Sequence, residues 1–207
     1  WRALQARVLA AIRAALPRAT VILTGADWSS IAGLQAAIPP ADTDVIYDVH
    51  FYDPAELTSL AAYRHGLDRA ALARLPFPMI DPAHCRRVAH SADPATAALI
   101  GFVCAQHWDA PHIARQFATV AAWGRRTGVP VILGEFGASA RLNRPARLDW
   151  VATVRRAAEH ERLGWALWGY DDVMGFDLPR PPPTRPALDP GLLQALGLKP
   201  ASEHRAQ

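Results

Sequence analysis

With 207 residues, 51% of them apolar and 20% charged, the chain is long enough for one sizeable core and too apolar to be globally disordered. The formal charge of +3 and the pI of about 9.2 come from scattered arginines, with Lys199 the only lysine, so no basic, aromatic-studded stripe marks a nucleic-acid face. No run of about 18 apolar residues is present to cross a membrane as a helix; the chain begins at Trp1 rather than Met, so the lack of a visible leader says nothing about export.

Leu4, Val8, Ala11, Ile12 and Ala15 recur at three and four, and Pro17 follows, which predicts a helix over 1–16. Thr20 to Thr24 reads as a strand, followed by Gly25-Ala26-Asp27-Trp28-Ser29-Ser30. A small-residue loop carrying Trp at a strand's carboxyl end suits a ligand site, and suits a tryptophan that lids a core nearly as well. A weak helical patch spans 31–38. Val45 to Phe51 is the next strand, leaving through Tyr52-Asp53-Pro54. Parity places Ile46, Asp48, His50 and Tyr52 on one face and Tyr47, Val49 and Phe51 on the other. A lone strand histidine is more often a satisfied core residue than a catalytic one, but His50 beside Tyr52 at a strand exit is less easily dismissed.

Residues 55–108 form a long connection with short helices, several prolines and both cysteines, longer than ordinary connections and suited to shaping a binding face. Cys85 and Cys104 admit three readings: a disulfide, favoured here; two reduced thiols; or a zinc set with His84 and His107, whose spacing is poor. Ala110 to Thr127 is a helix with Ile113, Phe117, Val120 and Ala121 inward and Gly128 at its end. Val131-Ile132-Leu133-Gly134-Glu135-Phe136-Gly137 follows, a short buried strand ending on an acid. Simple alternation puts Val131, Leu133 and Glu135 on one face. Burying an unpaired carboxylate is strongly unfavourable, so Glu135 is either functional or an acid just past the strand end that bonds a loop. A helix over 147–161, a strand over 164–169 containing Trp165 and Trp168, and a short helix over 188–198 complete the chain, with 199–207 a frayed tail.

Alternation of helix and strand implies a parallel sheet with right-handed crossovers. Trp28, His50, Tyr52, Glu135 and Trp168 all fall at strand carboxyl ends, where parallel α/β folds build their active sites.

Three stretches, Val45-Ile-Tyr-Asp-Val-His-Phe-Tyr-Asp-Pro54, Val131-Ile-Leu-Gly-Glu-Phe-Gly137 and Trp165-Ala-Leu-Trp168, resemble the last strands of glycoside hydrolase family 5, the cellulase family. The resemblance runs from about Thr20 to Leu198. It implies an α/β fold, the C-terminal half of a (β/α)8 TIM barrel (strands 5–8), left incomplete, with one partial domain over 1–198. It implies a retaining glycosidase acting on a polysaccharide such as β-1,4-glucan or mannan, with no cofactor and no metal. Glu135 matches the nucleophile, His50 and Tyr52 the pair after the sixth strand with Tyr52 orienting the nucleophile, Trp168 the aromatic platform after the eighth strand, and Trp28 an aromatic after the fifth.

The family's general acid is a Glu after Asn, and no Asn-Glu pair exists here. Asp48, Asp171 and Asp172 are the nearest substitutes by sequence. The chain is therefore expected to be a fragment that lacks the acid/base and is inactive alone, its partner being the missing N-terminal half of the barrel or a second copy that closes it. The resemblance and the cysteines together suggest an extracellular or periplasmic protein. The competing readings are a non-catalytic carbohydrate-binding half-barrel and a structural remnant without a ligand.

Overall fold

The computed structural model describes residues 1–170, 172–175, 177–178 and 187–199. In chain order the elements are α1 (Arg2–Ala15), β1 (Val21–Thr24), α2 (Ala26–Ser29), α3 (Ile31–Gln35), β2 (Val45–Phe51), α4 (Ala55–Thr58), α5 (Arg69–Leu72), α6 (Pro82–His90), α7 (Pro94–Cys104), α8 (Ala110–Thr127), β3 (Val131–Phe136), α9 (Arg144–His160), β4 (Gly164–Leu167), β5 (Asp177–Leu178), β6 (Ala187–Leu188) and α10 (Pro190–Ala195). The chain divides into two compact units. The first comprises Trp1–Phe51, Pro111–Phe136 and Arg156–Leu167; the second comprises 52–110, 137–155 and the chain from Trp168 on.

The first unit is built on a sheet of four parallel strands in the order β1-β2-β3-β4. Among the described residues this is an α/β sheet with no further strand beside β1 or β4, not a closed barrel. Val45, Tyr47, Val49 and Phe51 of β2, with Leu133 and Phe136 of β3, are buried on one face. Helix α8 seals that face: its Trp123 ring lies 4.9 Å from Tyr47 and its Phe117 ring 5.1 Å from Phe51, centre to centre, within the range of favourable aromatic pairs. Helix α1 is tied to the end of β1 by Trp1 Nε1 and Gln5 Nε2, which donate to the Thr24 carbonyl at 3.0 and 2.8 Å. At its other end Arg13 donates to Asp42 at 2.6 Å and to the Asp44 carbonyl. The guanidinium holds the Asp42 carboxyl below its ordinary pKa.

The second unit has no comparable sheet among its described residues and depends on polar ties. Asp81-Pro82 and Asp93-Pro94 start α6 and α7, each aspartate accepting first-turn N–H groups and each proline sitting where its missing N–H costs nothing. Cys85 and Cys104 are bonded to each other and link these two helices, so their sulfurs are not free to hold zinc. Asn143 donates its side-chain amide to the carbonyls of Ala73 and Leu75 at 3.1 and 2.7 Å. Arg147 is buried and donates to the carbonyls of Ala138, Met174 and Gly175; its burial lowers the guanidinium pKa. Asp189 caps α10 and accepts two bonds of 2.7 Å from Arg144. Pro181 to Pro183 and the tail beyond Lys199 lie outside the described residues.

Candidate active site

Three titratable side chains meet on the open face of the four-stranded sheet. Asp48 and His50 come from alternate positions of β2, so both project from the face opposite Tyr47 and Val49. Glu135 comes from β3. His50 Nδ1 lies 3.2 Å from Glu135 Oε2 and His50 Nε2 lies 3.0 Å from Asp48 Oδ2. The other Asp48 oxygen accepts the Gly134 N–H at 2.7 Å. The side chains of Asp48, His50 and Glu135 are 13%, 21% and 28% exposed, so the cluster is sheltered and still reachable.

Alternation along β3 fails at one place, and this corrects the parity expected for Glu135. Val131 and Leu133 are buried, but Glu135 faces the other way, toward His50, and Phe136 takes the buried position. The cause is a bulge. The register with β2 runs Val49 to Leu133 and then His50 to Glu135, skipping Gly134. The register with β4 shifts over the same stretch, between Leu133 and Phe136. One extra residue exchanges the two faces of a strand from that point on. Gly134 permits it, because a Cβ there would collide with the Asp48 carboxylate.

Trp28 is also in the first unit and is 90% exposed. The expected loop is a single left-handed turn, α2, in which Asp27, Trp28 and Ser29 all have φ between 50 and 60°. Three consecutive non-glycine residues in that region are costly, on the order of 1–3 kcal/mol each, and persist only where the surroundings impose them. Ser30 helps: its hydroxyl donates to Asp27 and accepts the Gly33 N–H, capping α3. Tyr52 and Trp168 belong to the second unit. Tyr52 is half-buried, with its carbonyl accepting the Thr58 hydroxyl; Trp168 is 47% exposed and joined to Gly169 by a cis peptide. The structure thus brings His50 to Glu135 within the first unit, and adds Asp48 as a partner of both His50 and Gly134. Asp172 is exposed and accepts the Met174 N–H in a turn, and Asp171 lies outside the described residues. Among the described residues no three His, Cys, Asp or Glu side chains converge as a metal site.

A carboxylate at the carboxyl end of a parallel strand, held by an imidazole and open to solvent, suits nucleophilic or general-base chemistry. The family model for cellulase, glycosyl hydrolase family 5, matches residues 1–172. The chain belongs to glycosyl hydrolase family 5. Endoglucanase 3 of Fibrobacter succinogenes is 27% identical over 176 residues, which cover 82% of this chain and 26% of that protein. Endoglucanase H of Acetivibrio thermocellus is 24% identical over 165 residues, 80% of this chain and 14% of its own length. Among solved structures, the cellulose synthase subunit Z of Clostridioides difficile superposes with a TM-score of 0.69 at 21% identity, over 93% of this chain and 55% of that one. An endoglucanase of the hyperthermophilic Thermotoga maritima gives 0.67 at 23% identity, over 91% and 51%. The chain therefore spans about half the length of these structures, and 26% and 14% of the two relatives. At such identity the structures speak to the fold, and the fold agrees: four parallel strands with flanking helices match part of the family 5 barrel.

Proposed function

We propose that this family 5 chain carries the nucleophile of a retaining glycosidase that cleaves β-linked glucan or mannan, with Glu135 attacking the anomeric carbon. The observation that carries the reading is the turn of Glu135, by the Gly134 bulge, onto the open face beside His50 at 3.2 Å. In retaining hydrolysis a second carboxyl group, roughly 5–5.5 Å from the nucleophile across the sugar, protonates the leaving oxygen and later activates water. That acid/base is not assigned to any residue of this chain. Asp48 is a poor substitute, since one of its oxygens is committed to Gly134 and the other faces His50. Tyr52 is assigned the role of orienting Glu135, and Trp168 and Trp28 the role of sugar platforms, on the family motif.

Loss of acid–base assistance costs about 10²–10⁴-fold, and an activated aryl leaving group needs no protonation. The test is to incubate the chain with soluble β-glucan and, separately, with a dinitrophenyl β-cellobioside. The reading predicts a burst of dinitrophenolate that disappears in Glu135→Gln, with little release of reducing ends from glucan. Saturable glucan binding without any burst would instead favour a carbohydrate-binding half-barrel, the reading to which the exposed Trp28 also lends itself. The disulfide between Cys85 and Cys104 supports a protein working outside the cytoplasm, since such bonds persist in oxidising compartments.

A further inference from the structure

The geometry points to Asp48 as the positioning residue of this site: one oxygen holds the His50 imidazole, and the other holds the bulge that turns Glu135 to face that imidazole. The two contacts reach different parts of the site. Oδ2 lies 3.0 Å from His50 Nε2, and Oδ1 accepts the Gly134 N–H at 2.7 Å. A single side chain therefore fixes both the rotation of the ring and the backbone one residue before Glu135. Its use in catalysis rests on the glycosidase reading; its geometry does not.

Three features separate this arrangement from an incidental contact. Asp48 is only 13% exposed, and a carboxylate so placed is costly unless its oxygens are satisfied. The bulge leaves its extra residue outside the ladder, and it is the Asp48 carboxylate that takes the Gly134 N–H. Position 134 also has to be glycine for the carboxylate to approach, because a Cβ would occupy the same space. The ring has a matching constraint. An imidazole between two carboxyl groups satisfies both only if each nitrogen carries a proton or one carboxyl does. By engaging Nε2, Asp48 leaves Nδ1 as the nitrogen turned to Glu135.

The test compares the intact chain with Asp48→Ala and Asp48→Asn, using ¹⁵N NMR of the Gly134 amide and the His50 ring together with the rate at which a 2-deoxy-2-fluoro-β-cellobioside bearing a dinitrophenyl leaving group labels Glu135. In Asp48→Ala, Gly134 should exchange its amide proton at least about tenfold faster, and the His50 ring signals should move. The maximal labelling rate should fall about 100-fold while the half-saturating glycoside concentration holds. Asp48→Asn keeps an oxygen for Gly134 and offers an N–H toward Nε2, so Gly134 protection should persist while the ring signals still shift. Unchanged ring signals in both variants, or Gly134 exchange in Asp48→Ala equal to that of the parent, would overturn the assignment. If Asp48→Ala does not fold, the ring signals of Asp48→Asn decide alone. A parent chain that takes no label counts against the glycosidase reading, and the NMR comparison still judges Asp48.

Discussion

The two faces of β2 are made from the same seven residues and do opposite work. Val45, Tyr47, Val49 and Phe51 are sealed beneath helices, whereas Ile46, Asp48 and His50 stand on a face that the described chain leaves open. The sealed face supplies the area whose removal from water stabilises the unit. The open face carries groups whose pairing serves chemistry. Because parity separates them, a substitution on one face should change stability with little direct effect on the site, and the reverse should hold for the other.

The largest expected effect falls on the open face. Glu135→Gln should reduce dinitrophenolate release from an activated cellobioside on the order of 10⁴-fold or more, with an unfolding midpoint close to that of the parent. A large drop in stability would mean that the two faces are not independent. On the sealed face, Phe51→Ala removes the ring that packs on Phe117 and should cost about 3–5 kcal/mol in urea unfolding.

A structural carboxylate sharpens the contrast with Glu135. Asp189 is 5% exposed, caps α10 and is paired with Arg144, whose guanidinium holds its carboxyl at about 2. Asp189→Ala should cost about 1–2 kcal/mol at neutral pH. A depressed folded-state pKa gives stability that is present above the ordinary carboxylate value and is lost as pH falls through the folded one. The gap between parent and variant should therefore narrow from about pH 4 downward and nearly close near pH 2, which unfolding curves at pH 7, 4 and 2 would reveal. The smallest effect belongs to Ile22, 56% exposed on the open face: Ile22→Ala should stay within about 0.5 kcal/mol of the parent. A larger loss would show that this face is covered in solution.

Much of this division was legible in the sequence, and its failures have physical causes. The bounds of β2 and α8, and the inward stripe Ile113, Phe117, Val120 and Ala121, follow directly from period two and period 3.6. Trp123, three residues after Val120 and so on the same period, belongs to that stripe although the expected set stopped at Ala121; it is fully buried against Tyr47. The face of Glu135 was misplaced because strict alternation was carried through Gly134. A glycine inside a strand is itself a signal of a bulge or a close approach, and here it marks both. The pairing of Asp48 with Gly134, 86 positions apart, leaves no local trace in the sequence. Nor does the left-handed turn that presents Trp28, since those residues would not adopt it unaided and the backbone of Gly25 crowds against that of Gly33 nearby.

The account depends on Glu135 being the group that attacks the sugar. Mass spectrometry of proteolytic fragments after incubation with the 2-fluoro cellobioside tests this most directly. The predicted result is one added glycosyl mass on the peptide containing Glu135, absent in Glu135→Gln. A glycosyl adduct on any other carboxylate, or a folded chain that remains unlabelled, would contradict it.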